Sequence, residues 1–546
     1  MKHVCIVKER LMNQPQHAPA PWLSDAAFYQ VFPASFADSD NDGIGDIRGI
    51  TEHLDYITTL GCNALWINPC FASPFRDAGY DISDYTRVAD RYGSNEDLEN
   101  LFAAAHARGM HVLLDLVPGH TSNEHPWFIA SGQDKPNLYT DRYIWTDTWI
   151  SGGDGLPFIG GEMPRNGAYI VNFFAFQPAL NYGFAHPSRP WQNAALSDPA
   201  IDTCNAMLDV MRFWLSRGAD GFRVDMADSL VKGDDSGKPA TIATWQYMFG
   251  QIREEFPQAA FVAEWGRPEE SLQAGFDMDF YLDWRWDGEP NGYNLLLRNT
   301  DTPLVHEGDK SYFNADSGAG IRPFLAEYEP RLREAERAHG YFNLITCNHD
   351  TARVAPRLSP REIKLAYATM LLMPGVPFIY YGDEIGMRYR DLPTHEGAYT
   401  RTGSRTPMQW DTSANAGFSG ASANALYLPA DGAQDAPTVA GQIDDGDSLW
   451  HIVHAALQTR HATPAFRPDA AFETLFAADD KRSFVFKRSA EGVSAIVAVN
   501  PGRETEIIEL PAGDGSGART ITLEVGEPAL DGTTLTLPPQ SFAVLQ

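Results

Sequence analysis

The sequence predicts an α/β protein: a (β/α)8 TIM barrel with an inserted domain after the third strand and a C-terminal antiparallel β-sandwich domain. Three observations carry this prediction. Short, continuously apolar segments alternate with amphipathic helical stretches through the first two thirds of the 546 residues, the pattern of a parallel sheet covered by helices. Between about Pro118 and Pro190 the alternation gives way to a stretch rich in aromatics, Gly and Pro, too long for a structureless loop in a compact domain. From roughly Phe472 onward the pattern becomes alternating strands.

Taken in order, residues 1–20 read as a tail; charge interrupts Met1–Arg10 too early for a signal-peptide core, and Asn13–Pro21 is rich in Gln, Pro and Ala. The first strand is Ala27–Phe32. A helix around His53–Leu60 leads to the second, Ala64–Ile67, and a helix over Asn95–Arg108 to the third, Val112–Leu116. The later strands are Gly221–Asp225, Phe261–Glu264, Met278–Leu282, Phe342–Thr346 and Val376–Tyr380. The barrel therefore occupies 21–118 and 191–470, the inserted domain 119–190 and the C-terminal domain 471–546, with strands at Ser483–Lys487, Val493–Val499 and Thr520–Leu523. An open, doubly wound sheet is the alternative. Polar residues follow several strands here rather than one switch point, which favours a closed barrel with its site at the strand C-termini.

Composition narrows the partners. A formal net charge of −30 argues against nucleic acid or an anionic membrane surface and is compatible with a neutral substrate such as a sugar. No apolar run approaches the ~18 residues of a membrane span. The five cysteines, Cys5, Cys62, Cys70, Cys204 and Cys347, contain no Cys-x-x-Cys pair, so neither a disulfide framework nor a thiolate zinc site is expected. A reducing cytoplasm fits.

Three acids end apolar strands: Asp225 in Gly221–Asp225, Glu264 in Phe261–Glu264 and Asp350 in Asn348-His349-Asp350. Buried carboxylates are costly unless paired or functional. Three that converge at one barrel end suit a site where positive charge develops, as in glycoside cleavage through an oxocarbenium-like transition state. Arg223, two residues before Asp225 on the same strand face, is expected to hold that carboxylate ionised, as a nucleophile requires. Glu264, between apolar residues and Trp265, is expected to favour its protonated form, as a general acid requires. Taken singly, Asp225 could be half of a structural Arg–Asp pair and Asp350 a helix N-cap.

With these motifs in order, the chain from Trp22 to the C-terminus resembles the α-amylase superfamily, glycoside hydrolase family 13, and within it the α-glucosidase and oligo-1,6-glucosidase branch. Phe28–Phe36, Asp115–His120, Gly221–Asp225, Glu264, Asn348–Asp350 and Gly375–Glu384 carry the resemblance. It implies that Asp225 is the nucleophile, Glu264 the acid/base and Asp350 a transition-state stabiliser, with Arg223, His120 and His349 supporting the first sugar subsite. It also implies a pocket closed around a terminal glucose by Asp77 of Asp77–Asp81 and Arg405 of Arg405–Asp411, with Tyr80 stacking on the sugar. The expected reaction is retaining, exo-acting cleavage of small α-glucosides. A glucosyltransferase or isomerase acting through the same site is the alternative. A non-catalytic sugar-binding homologue is the rival from another class.

Asp38–Asp46 begins like an EF-hand loop, but its twelfth position is Gly49 rather than a bidentate Glu. It resembles the metal loop of the glucosidase branch, which implies Asp38, Asp40, Asp42 and Asp46 as ligands with the Ile44 carbonyl. Ca²⁺ is expected over Mg²⁺ in a structural role, and no organic cofactor. The chain departs from the family pattern at Gly119, where Asn usually precedes His120, at Ala179 in place of Asp, and at Met226 after the nucleophile. The Lys-His pair of starch-degrading relatives is absent, with Asp228-Ser229 nearby. The Gly119 change puts the common calcium site beside the inserted domain in doubt.

Overall fold

The computed structural model describes residues 18–150, 152–282, 292–298, 311–397, 400–511 and 519–546. Most of the expected N-terminal tail, with Cys5, lies outside the described residues. Eight parallel strands form the barrel: β1 (Phe28–Val31), β2 (Ala64–Ile67), β3 (His111–Leu116), β4 (Gly221–Val224), β5 (Ala260–Ala263), β6 (Met278–Phe280), β7 (Tyr341–Asn343) and β8 (Phe378–Tyr380). Their order is β7-β6-β5-β4-β3-β2-β1-β8. A parallel bridge between Ile345 and Phe378 brings the free edges of β7 and β8 together, so the sheet closes. All eight segments anticipated from apolar runs are strands.

The strands are buried on both faces, which is why they read as continuous apolar runs. Inside the barrel Phe28 stacks on Phe378 at 4.3 Å and Trp66 on Phe280 at 5.5 Å. Gly221 opens β4 because the β5 backbone passes too close for a side chain: a Cβ there would lie 1.8 Å from the Ala260 carbonyl oxygen. The covering helices start where their sequences say they should. Ser94 with Asp97, and Ser359 with Glu362, form capping boxes for Asn95–His106 and Pro360–Leu371. Among the described residues no helix is long and apolar enough to cross a membrane.

After β3 the chain leaves the barrel. The helix Pro126–Ser131 and the hairpin Phe158–Gly160 with Ala168–Ile170 pack around Phe128, Tyr143, Trp145 and Tyr169. At the other end of the chain come β9 (Ala471–Ala477), β10 (Phe484–Ala490), β11 (Val493–Asn500), β12 (Glu506–Glu509), β13 (Ile521–Val525), β14 (Ala529–Asp531), β15 (Thr534–Leu537) and β16 (Ser541–Leu545). They form a five-stranded sheet, β9-β10-β11-β16-β13, and a three-stranded sheet, β12-β15-β14. One face of the larger sheet, with Phe484, Phe486, Val497 and Val544, joins the barrel core. The other, with Val485, Ile496 and Leu545, meets Ile508, Leu535 and Leu537 of the smaller sheet. That two-sided burial follows from the side-chain period of two.

Candidate active site

The C-terminal barrel end gathers the acids. Register makes Asp115 of β3 and Arg223 of β4 direct neighbours. The buried Arg223, 1% exposed, donates to Asp115 Oδ1 at 2.8 Å and Asp225 Oδ1 at 3.1 Å and forms an ion pair with Glu264 Oε2 at 2.7 Å. One guanidinium thus ties β3, β4 and β5 together. Met226, just after Asp225, is held in the left-handed region at φ 42°, a costly conformation for a non-glycine residue. It aims its N–H at Glu264 Oε2, 2.9 Å away.

This geometry revises the two expectations for the acid pair. Burial and repulsion from Glu264 outweigh Arg223, so Asp225 is pushed well above the usual carboxylate range instead of being held below it. Glu264 lacks the apolar setting read from sequence; Arg223 forms an ion pair with it and the Met226 N–H donates to it. Asp115 is also raised, to about 6, by burial. Three carboxylates around one guanidinium leave a buried excess of negative charge, which is what raises Asp225 and Asp115.

Asp350 behaves oppositely. Burial works against its ionisation, but His349 and the guanidiniums of Arg401 and Arg405 win and hold it well below the usual range. Its N–H is taken by Asn348 Oδ1 at 2.9 Å and no helix begins there, so it is not an N-cap. His349 Nδ1 faces the amide nitrogens of Gln30 and Asn68, each at 3.1 Å. Those donors place the ring hydrogen on Nε2, toward Asp350 Oδ2 at 3.1 Å and Tyr80 Oη at 2.6 Å. Burial lowers His349 to about 4, so its imidazole is neutral. His120 is buried and likewise lowered to about 4, with Nε2 3.2 Å from the Tyr80 carbonyl.

The loop after β2 is built to present Asp77. Ala78 at φ 51° and Gly79 at φ 98° turn the chain, and Asp81 Oδ1 accepts the Asp77 N–H at 3.1 Å. Tyr80 is buried, its hydroxyl donating to Asp115 Oδ2 at 3.0 Å and its ring stacked on His349. Asp77 does not meet Arg405, the partner expected from sequence. Arg401, four residues earlier, binds Asp77 and also Asp350 Oδ1 at 2.6 Å. Arg405 instead donates to Asp350 Oδ1 at 3.0 Å and to the His349 carbonyl at 2.8 Å. Arg401, Asp115, Gln30, Asn68 and Gln177, whose amide donates to Asp77 at 2.8 Å, were not singled out from sequence. Arg401 carried a signal, a second arginine in Arg401-Thr402-Gly403-Ser404-Arg405.

At Gly119 the missing side chain leaves room for Asn172, which would stand 2.9 Å from a Cβ there. Asn172 Oδ1 accepts from Lys232 Nζ at 2.8 Å, and Lys232 also reaches the Ser229 carbonyl at 3.1 Å. An ammonium ion of the chain, lowered to about 8 by burial, therefore joins the inserted domain to the loop after β4.

In the acidic loop, carboxylate oxygens of Asp38, Asp40 and Asp42 lie within 4.8 Å of one another. Asp38 is oriented by the N–H groups of Asn41 at 2.7 Å and Gly43 at 2.8 Å and by the Ser419 hydroxyl at 2.5 Å. Among the described residues no Lys or Arg pairs with the three. Asp46 stands outside that cluster and caps the helix Ile47–Glu52 by accepting the Gly49 N–H at 2.7 Å.

A barrel that gathers acids after β4, β5 and β7 around the guanidiniums of Arg223, Arg401 and Arg405 is a carbohydrate-cleaving framework, and the comparisons agree. Residues 30–469 match the family described as alpha amylase, catalytic domain. The chain is 30% identical to the oligo-1,6-glucosidase of Heyndrickxia coagulans, over 90% of this chain and 94% of that one. It is 34% identical to the trehalose synthase/amylase TreS of Mycolicibacterium smegmatis, over 81% and 76%. The trehalulose synthase MutB of Pseudomonas mesoacidophila MX-45 superimposes with a TM-score of 0.76 at 25% identity, covering 96% of this chain and 99% of that one. The chain belongs to the α-amylase family, glycoside hydrolase family 13, and is a glycoside hydrolase of the α-glucosidase type.

Proposed function

We propose that this enzyme is a retaining, exo-acting α-glucosidase that releases terminal α-linked glucose from disaccharides or short oligosaccharides. The observation that carries the reading is Arg401, which links Asp77 to Asp350 and supports a blind-ended pocket suited to a chain end rather than an open cleft. Glu264 gives its proton to the leaving oxygen while Asp225 attacks the anomeric carbon, forming a covalent glucosyl-enzyme. Water activated by Glu264 then releases glucose with the anomeric configuration retained. Arg223 and the Met226 N–H hold the Glu264 carboxyl in place beside Asp225 for this step. Asp350, ionised beside His349, stabilises the developing positive charge. His120, His349, Arg405 and Asp77 bind hydroxyls of the first sugar, and Tyr80 borders it.

A second reading, glucosyl transfer or isomerisation through the same glucosyl-enzyme, draws support from the trehalose and trehalulose synthases among the relatives. Product analysis with maltose, isomaltose, sucrose and trehalose supplied separately decides between them. Free glucose as the main product is expected; an isomeric disaccharide as the main product would favour the second reading. Asp225→Ala should lose activity on all four by about 10⁴-fold or more, and turnover near wild type would remove the mechanism.

Asp38, Asp40 and Asp42 fit a hard cation, being all-oxygen donors gathered without a counter-charge, and we assign them to Ca²⁺ in a structural role. Chelation is expected to lower the melting temperature while leaving kcat unchanged below it; an unmoved melting temperature would undo the assignment. Among the described residues Cys62, Cys70, Cys204 and Cys347 are buried and form no disulfide with one another, which supports a reducing, cytoplasmic location.

A further inference from the structure

Asp279 is the middle residue of β6, fully buried, and lies opposite Ala263, the residue before Glu264. Its neighbour Phe280 packs on Trp66 and Phe378 inside the barrel. Strand alternation therefore turns Asp279 outward, between the sheet and the helix Pro268–Ala274, away from the sugar pocket. Four donors converge on it. Oδ1 accepts the N–H groups of Trp265 at 3.2 Å, Gly266 at 3.0 Å and Phe280 at 2.9 Å, and Oδ2 accepts the Ser271 hydroxyl at 2.9 Å. Among the described residues it makes no ion pair. A carboxylate buried with neither a cation nor a ligand needs another reason to be there, since an apolar residue would fill the same strand position without the desolvation cost.

The reason is on the other side of the peptide chain. Trp265 and Gly266 are the two residues that follow Glu264, at the point where the backbone leaves β5 and turns through Gly266 at φ 77°. Glu264 is thus gripped at two levels: its carboxylate by Arg223 and the Met226 N–H, and its onward backbone by Asp279. We propose that Asp279 is a positioning residue for the acid/base, fixing the two peptides after Glu264 so that its carboxyl meets the glycosidic oxygen. The inference rests on the reading of Glu264 as proton donor. Asp279 moves no proton to substrate and touches none.

A misplaced acid has a kinetic signature that a loosened fold lacks. Leaving groups that need a proton suffer, whereas a phenolate that departs unaided does not. The experiment compares kcat/KM for p-nitrophenyl α-D-glucoside and for maltose in wild type, Asp279→Ala and Asp279→Asn. Asp279→Ala is expected to lose about tenfold more on maltose than on the aryl glucoside. Asp279→Asn keeps an oxygen for both peptides and an amide for the Ser271 hydroxyl, so its ratio should stay close to wild type. An equal or absent fall on the two substrates would overturn the proposal. Should Asp279→Ala fail to fold, Ser271→Ala decides alone: the ratio shifts in the same direction by less, and an unmoved ratio overturns the idea. Asp225→Ala run alongside separates the two claims. If it retains activity, the reading of the site fails; if it is inactive while the Asp279 ratio stays flat, only the positioning role fails.

Discussion

Arg223 in the pocket and Arg460 with Arg488 at the joint between the barrel and the C-terminal domain are buried alike, at 1%, 5% and 0% exposure, yet keep opposite company. Arg223 faces Asp115, Asp225 and Glu264. Among the described residues the joint arginines donate only to carbonyls. Arg460 donates to Leu371 at 2.9 Å, to Met373 at 3.1 Å and to Gly375; Arg488 donates to Leu372 at 2.9 Å, Arg467 at 2.7 Å and Ala470 at 3.1 Å. Leu371 and Leu372 end the helix Pro360–Leu371, whose last carbonyls have no partner within the helix and carry the negative end of its dipole. Burial lowers both arginines, to about 9 and about 10, which still leaves them cations at neutral pH. The joint uses charge to satisfy backbone. The pocket instead keeps carboxylates in excess over guanidiniums, an arrangement that costs stability and prepares the site for a substrate that turns positive.

The contrast fixes what each substitution should do. Arg223→Lys keeps the charge but loses the fork that spans three strands. A fall in kcat of about 10³-fold is expected, with a much smaller change in melting temperature. Arg460→Met should do the reverse, stranding three carbonyls at a cost of about 3 kcal/mol while kcat of the folded enzyme stays put. Thermal unfolding and steady-state kinetics on both variants test the pair. If Arg460→Met lowered kcat without lowering stability, or Arg223→Lys did the opposite, the division between chemistry and architecture would collapse.

Much of this framework is legible in the sequence because barrel strands are short apolar runs and its acids stand at their ends. The strand residues carrying Asp225, Glu264 and the segment before Asp350 declare themselves that way. What sequence could not reach depends on distance across the fold. Asp115, Arg223 and Glu264 meet only through the register of three neighbouring strands. Arg401 and Arg405 lie four residues apart, the first inside the short 3-10 helix Thr400–Ser404 and the second just beyond it, and nothing in the local sequence says which faces Asp77. Asp46 shows one residue type serving two jobs, since an acid suited to a metal loop is equally suited to cap the helix that follows. The Glu264 setting was misread because flanking residues were apolar, whereas its charged partner comes from another strand. Asp279 was visible as an acid inside an apolar strand, but only the hydrogen bonds across β5 give it a purpose.

The smallest expected effect concerns the imidazoles, where the pocket resembles the joint. Burial, helped by the Lys232 ammonium, outweighs the pull of Asp77, so that His120 stays neutral down to about 4. In the unfolded chain a histidine takes its proton near 6.5. Between those values the unfolded state binds the extra proton, so acidification favours unfolding: the stabilising contribution is complete above about 6.5 and fades as the pH falls toward 4. His120→Gln removes the titrating ring, so across that window the wild type should lose roughly 1 kcal/mol per pH unit more than the variant. Denaturant unfolding at several pH values measures the difference directly. Parallel pH profiles for the two proteins would mean that His120 is protonated in the folded pocket, and that the pocket's negative excess, rather than burial, governs its imidazoles.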